Sequence, residues 1–151
     1  MKAVLQRVTH ANVVVDNELI SEIKSGFLIL LGVDNTDTKE DADVLSKKIS
    51  GMRVFEDENG KMNLSLTDIG GSVLVISQFT LLADCKKGRR PSFVNAGAPD
   101  MANELYEYFC KRIKNDGIED VKKGIFGADM KVSLLNDGPV TILLDSKELK
   151  K

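Results

Sequence analysis

The eight residues from Gly26 to Val33 (Gly-Phe-Leu-Ile-Leu-Leu-Gly-Val) are apolar without alternation. A strand with one wet face alternates polar and apolar side chains, so an unbroken apolar run of this length is the pattern of a strand covered on both faces. The rest of the chain must supply that cover. The run is also far short of the roughly 20 residues needed to cross a bilayer, and Met1 to Arg7 lacks the apolar region and small-residue cleavage site of a signal peptide. The expectation is a cytoplasmic protein with no membrane partner.

The periodicity around this run is mostly that of strands. Residues 2–8 and 11–15 read as two strands, with a turn at Asp16-Asn17 before a third at Leu19–Ile23. Ala42, Leu45, Ile49 and Met52 then recur at helical spacing, and Thr38 followed by Asp41 resembles a capping box. Arg53–Glu56 and Met62–Leu66 flank Glu58-Asn59-Gly60-Lys61, a hairpin signal, and Ser72–Leu82 reads as one long strand. Pro99 and Asp100 suit the first turn of a second helix carrying Ala102, Leu105, Phe109 and Ile113, ended near Asp116-Gly117. Two closing strands, Met130–Leu135 and Val140–Leu144, are separated by Asn136-Asp137-Gly138-Pro139. No linker, repeat or low-complexity segment divides residues 1–151, so the chain reads as a single domain. The predicted class is α+β: mostly β sheets packed in layers, with two helices.

A chain of 151 residues with 42% apolar content buries about two-thirds of its unfolded surface and needs neither disulfides nor metal to stay folded. Cys85 and Cys110 lie 25 positions apart without a Cys-x-x-Cys pattern and read as free thiols in a reducing compartment. Lys plus Arg is 21 against 23 for Asp plus Glu, a net charge of -2. This excludes a protein that coats nucleic acid or membrane electrostatically, though it says nothing of a local patch.

Catalytic equipment is sparse. The one histidine, His10, sits in a strand-like segment and reads as structural; there is no Gly-x-Ser-x-Gly elbow and no phosphate loop. One His and two distant Cys fall short of a zinc site. The acidic cluster Asp34, Asp37, Glu40, Asp41 and Asp43 lacks the alternating ligands and obligatory Gly of a calcium loop, and reads as a solvated helix N-terminus favoured by the helix dipole. No metal and no cofactor is expected.

Three segments stand apart. In Ser77-Gln78-Phe79-Thr80-Leu81 a buried strand runs straight into polar residues, which either marks a strand leaving the core or lines a cleft. Asn136-Asp137-Gly138-Pro139-Val140-Thr141 reads as a turn, yet Pro139, one of three prolines, follows a flexible Gly where the next strand should begin, so a cis bond is open as well. Lys86-Lys87-Gly88-Arg89-Arg90-Pro91 places four cations in five residues, either as solvated loop charge or as a contact to phosphates.

Taken in order, these segments resemble the D-aminoacyl-tRNA deacylase family, which clears D-amino acids from mischarged tRNA. The similarity covers nearly the whole chain. It includes Met1-Lys2-Ala3-Val4 and Gln6-Arg7-Val8, Gly26 to Val33, Asp37-Thr38 and Gly60-Lys61-Met62-Asn63. It continues through Ser77 to Leu81, Gly88 to Phe93, Phe126-Gly127-Ala128-Asp129-Met130 and Asn136 to Thr141. The Ser-Gln-Phe-Thr and Asn-x-Gly-Pro-Val-Thr motifs in this order are highly specific, and no motif position departs from the pattern.

The resemblance implies a homodimer with active sites at the subunit interface. Ser77, Gln78, Phe79 and Thr80 would form the catalytic wall, with backbone N–H groups near Phe79 and Thr80 facing the scissile ester. Gly138-Pro139 would be a cis peptide inserted from the other subunit, held by Arg7, and would crowd out an L side chain; Met130 would join this substrate-binding set. The 2′-OH of the terminal adenosine would help activate water. Substrates would be D-aminoacyl-tRNA, engaged at its acceptor end, and glycine mischarged on alanine tRNA. Lys86, Lys87, Arg89 and Arg90 would then carry the tRNA-binding charge, with the acidic cluster turned away from the RNA. Two other readings stay open: Thr80 as a nucleophile forming an acyl-enzyme, and an inert tRNA-binding module on the same fold.

Overall fold

The computed structural model describes residues 1–151. β1 (Lys2–Val15) is its spine: Lys2–Val8 pairs antiparallel with β3 (Gly26–Gly32), and Ala11–Val15 with β2 (Glu18–Ile23). β2 and β3 thus lie end to end along one edge of β1, and β8 (Lys131–Asp145) runs antiparallel along the other. The two strands expected at 2–8 and 11–15 are therefore one. Exposed Thr9 and His10 fall in a register shift between Val8 and Ala11, which interrupts the alternation without ending the strand.

β3 continues the sheet by parallel pairing with β6 (Ser72–Ser77), and β6 with β7 (Val121–Lys123). Parallel neighbours need crossovers. α1 (Lys39–Gly51) lies in the first and α3 (Pro99–Asn115) in the second. Ala42, Leu45 and Ile49 of α1 and Ala102, Leu105, Phe109 and Ile113 of α3 pack with Phe27, Ile29 and Leu31 in one core. On the opposite face, Leu28, Leu74 and Ile76 join Val8, Ala11, Val13 and Ile23 in a second. The apolar run at β3 is covered on both sides, as its pattern predicts. Burying each such side chain contributes about 1.5 to 3 kcal/mol.

The expected layered sheets with two helices need correcting. The six strands form one sheet that curls into a nearly closed, barrel-like form, with the second core inside it. There are four helices, because α2 (Leu66–Ile69) and α4 (Ser146–Leu149) add single turns too short to show a 3.6-residue period. The hairpin forms where expected, as β4 (Phe55–Glu56) and β5 (Met62–Leu64), with the Asp57 carboxylate accepting from the N–H groups of Asn59 and Lys61 at its turn. No helix is long and apolar enough to cross a membrane.

Two further segments depart from expectation. The strand predicted over 72–82 ends at Ser77, and Phe79–Leu82 is a 3-10 turn. The polar residues 136–139 do not reverse the chain: Lys131–Asn136 and Thr141–Asp145 both pair with β1, in the same direction, so the segment is an excursion within one long strand.

The acidic cluster is not the solvated helix terminus that its composition suggests. Asp37 and Asp41 are buried. The Met1 ammonium donates to Asp37 Oδ1 at 2.6 Å and to Ser146 Oγ at 2.8 Å, and Ser146 Oγ donates to Asp41 Oδ1 at 2.7 Å. Lys150 Nζ reaches the same Asp41 oxygen at 2.9 Å, Lys147 pairs with half-buried Asp34, and Tyr108 donates to Asp43. Of the five, Glu40 alone stands exposed. These carboxylates are buried because their cationic and hydroxyl partners, distant in sequence, fold onto them.

Candidate active site

A cavity of about 680 Å³ opens at the C-terminal ends of the parallel strands β3 and β6, the position at which open parallel sheets generally receive ligands. Leu31, Val33 and Ile76–Phe79 form one wall, Ala96–Pro99 with Ala102 and Tyr106 of α3 a second, and Phe126–Met130 with Val132 a third. Ser77, Gln78, Phe79 and Met130 thus meet in one cavity. Thr80 stands just beyond its lining, with its hydroxyl accepting a hydrogen bond from Gln78 Nε2.

The 77–80 wall is fixed by a close approach of two backbones. Gln78 N donates to the Leu31 carbonyl at 2.8 Å, extending the β3–β6 ladder by one bond. At Gly32 an added Cβ would stand 2.9 Å from Gln78 O and 2.7 Å from a Leu82 methyl, so only glycine lets the chain lie so near. The chain then enters the 3-10 turn at Phe79, and the leading N–H groups of such a turn, those of Phe79 and Thr80, have no acceptor within it. They are backbone donors beside the cavity.

The cavity lining carries no poised acid or base. Asp129 is strongly exposed and paired with Lys131 at 3.1 Å. Tyr106 is buried, its hydroxyl donates to the Val75 carbonyl at 2.7 Å, and burial, with the nearby Cys110 and Glu107, pushes its phenol well above the usual range. His10 lies exposed on β1, outside the lining. Cys110, also outside it, is buried and its thiol is pushed up to about 12 by burial and Glu107. The arrangement offers shape, apolar surface and backbone donors.

Gly138, Pro139 and Arg7 lie elsewhere in the chain and take no part in the cavity lining. The Gly138–Pro139 bond is cis, with both residues exposed and Gly138 at φ 125°. Arg7, 5% exposed, lies beneath them: Nη1 donates to the Val54 carbonyl at 2.7 Å and Nε to that of Asp137 at 3.1 Å. The Asp137 and Glu56 carboxylates add ion pairs at 3.6 and 3.9 Å.

Lys86, Lys87, Arg89 and Arg90 are all exposed, in a loop closed by paired hydrogen bonds between Asp84 and Ser92, each 2.8 Å. None of the four enters an ion pair. The loop connects to the cavity through an edge-to-face pair of Phe79 and Phe93, ring centroids 5.0 Å apart.

Sequence reasoning missed Tyr106, Phe93 and the Ala96–Pro99 segment as cavity residues. Tyr106 stands four residues after Ala102, on the apolar face already identified for the second helix, so its spacing was a usable signal. Ala96–Pro99 carries no distinctive side chain, and only the fold brings it to the strand ends.

Three comparisons bear on this geometry. The family model described as D-Tyr-tRNA(Tyr) deacylase matches residues 4–145. The chain is 54% identical over 149 residues to a D-aminoacyl-tRNA deacylase of Thermosipho melanesiensis, covering 99% of each, and 56% identical over 148 residues to one of Clostridioides difficile, covering 98% of this chain and 99% of that protein. Among solved structures, a c-Myc DNA unwinding element binding protein superposes with a TM-score of 0.91 at 43% identity, over 96% of this chain and 98% of the other. A probable eukaryotic D-amino acid tRNA deacylase shares the fold, with a TM-score of 0.78 at 18% identity over 95% of this chain and 97% of the other. With the family matched from residue 4 in β1 to the end of β8, the chain belongs to the D-Tyr-tRNA(Tyr) deacylase family, a family of hydrolases.

Proposed function

We propose that this chain hydrolyses the ester bond of D-aminoacyl-tRNA, releasing free tRNA and the D-amino acid, and that glycine mischarged on alanine tRNA is a second substrate. The observation that carries the reading is the composition of the 77–80 wall: backbone N–H donors beside a cavity whose lining holds no general base, in a chain of this family. Water attacks the ester carbonyl carbon, and the tetrahedral oxyanion is stabilised by the N–H groups of Phe79 and Thr80. The 2′-OH of the terminal adenosine takes the proton of the attacking water and relays it to the departing 3′-oxygen as the C–O bond breaks. The protein's share is positioning, which in well-oriented systems accounts for about 7 to 11 kcal/mol of a barrier.

The active unit in this reading is a homodimer. The cavity is open on the side of Phe79, 58% exposed, and the exposed Gly138–Pro139 tip of the same chain is not among its walls. A second copy supplies that tip. Its carbonyl oxygens occupy the space an L side chain needs, while a D side chain or the hydrogen of glycine avoids them. Selectivity comes from rejecting the wrong enantiomer. Exposed Leu143 on β8, 75% accessible, supplies apolar surface for the contact. An acyl-enzyme through Thr80 has less support, because its hydroxyl is hydrogen-bonded to Gln78 and to no base.

The test is turnover of D-tyrosyl-tRNA ending in 2′-deoxyadenosine. The expected result is a rate at least about 100-fold below that of the 2′-hydroxyl substrate, within the range of lost general acid–base assistance. An equal rate, together with accumulation of a labelled acyl-enzyme, would overturn this mechanism in favour of Thr80.

A further inference from the structure

The ladder between β1 and β8 breaks where Gln6 faces Thr141 and Val8 faces Asn136, so that Arg7 alone stands opposite the four residues Asp137–Val140. An insertion of this kind has no ladder hydrogen bonds to fix how far it stands out. Side chains close its neck instead. Asn136 Oδ1 accepts from Val140 N at 3.0 Å, and Asn136 Nδ2 faces Val140 O and Thr141 Oγ1, both at 3.3 Å, and Gln6 Oε1. The Thr141 hydroxyl donates to the same Gln6 oxygen at 3.3 Å.

The side-chain amide carries an acceptor and a donor in one rigid plane, as a peptide group does. Asn136 therefore engages both the N–H and the C=O of Val140, as a neighbouring strand would, and Gln6 anchors that amide to β1. We propose that Asn136, Gln6 and Thr141 are a positioning set that fixes how far Gly138–Pro139 stands out from the sheet and thereby sets the enantiomer selectivity of the site the tip enters. This rests on the deacylase reading for its consequence, and on the neck geometry alone for the positioning itself.

The experiment pairs two readouts in the full-length chain. Asn136→Asp keeps the acceptor for Val140 N but turns the donor into an acceptor facing three oxygens, those of Gln6, Val140 and Thr141. Amide relaxation at Gly138 is expected to show an order parameter falling from about 0.85 to below about 0.6, with Leu5 and Val13 unchanged. The ratio of D- to L-tyrosyl-tRNA hydrolysis is expected to fall about tenfold through faster L cleavage, with KM for the D substrate unmoved. If Asn136→Asp does not fold, Thr141→Val, which removes one hydroxyl and no backbone bond, lowers the Gly138 order parameter by a smaller step and the D-to-L ratio by about threefold. An unchanged Gly138 order parameter, or an unchanged ratio despite a mobile tip, overturns the proposal. A wild-type chain that cleaves neither enantiomer contradicts the deacylase reading, and the Gly138 order parameter then still decides whether the neck holds the tip.

Discussion

Arg7 donates from Nε to the carbonyl of Asp137 at 3.1 Å, across 130 positions of sequence. It is the one residue of β1 opposite the excursion in β8, and its other donor is fixed on the Val54 carbonyl beside the β4–β5 hairpin. A guanidinium reaches two carbonyls in different directions at once, which a lysine ammonium on a flexible stem does far less rigidly. The excursion that bears the Gly138–Pro139 tip is thus held against the body of the sheet.

Gly138 cannot gain a side chain at this place. Its φ of 125° disfavours any L residue, and an added Cβ would stand 2.9 Å from Arg7 Nη2 and 3.0 Å from a Val140 methyl. Gly138→Ala is expected to destabilise the chain by about 1 to 3 kcal/mol in urea unfolding and to raise L-tyrosyl-tRNA hydrolysis relative to D. Unaltered stability and selectivity would mean that the tip relaxes freely and discriminates nothing.

How far the sequence spoke for itself differs from segment to segment. The unbroken apolar run at Gly26–Val33 and the helical spacing from Ala42 to Ile49 and from Ala102 to Ile113 report burial directly, so β3, α1 and α3 were legible. The excursion was not: Asn-Asp-Gly-Pro has turn chemistry, and periodicity does not say that the residues on both sides pair with one strand. The acidic cluster misled for a similar reason. The partners that bury Asp37 and Asp41 are Met1, Ser146 and Lys150, and no local pattern announces them. At the site, the polar residues after β6 marked the cavity wall, whereas the backbone donors of the 3-10 turn had no side-chain signature.

The free cations of the 86–90 loop are expected to contact phosphates. Changing Lys86, Lys87, Arg89 and Arg90 together to Ala should weaken tRNA binding and flatten its dependence on log salt by about 0.7 for each lost contact, up to about 3 in all. Filter binding across a salt series measures both. Unchanged affinity and slope would leave the loop as solvated charge.

Asp41 makes stability depend on pH in a defined direction. Burial acts to raise its pKa, but hydrogen bonds from Ser146 and Thr38, with Lys150, outweigh it and hold the carboxyl well below its usual value. A group whose folded pKa lies below its unfolded one stabilises the fold above the unfolded pKa, near 4, and loses that contribution as pH falls through the folded value. The gap in unfolding free energy between wild type and Asp41→Asn should be about 2 kcal/mol at pH 7 and should shrink below about pH 4. A gap that stays constant down to pH 2 would contradict this assignment.

In the proposed reading this chain cleaves the aminoacyl ester and reads chirality by exclusion. Parallel single-turnover hydrolysis of D-tyrosyl- and L-tyrosyl-tRNA on the same tRNA tests it most directly. The D ester is expected to be cleaved at least about 100-fold faster, a discrimination of roughly 2.7 kcal/mol or more, while the L ester decays at its spontaneous rate. Equal rates on the two enantiomers would contradict it.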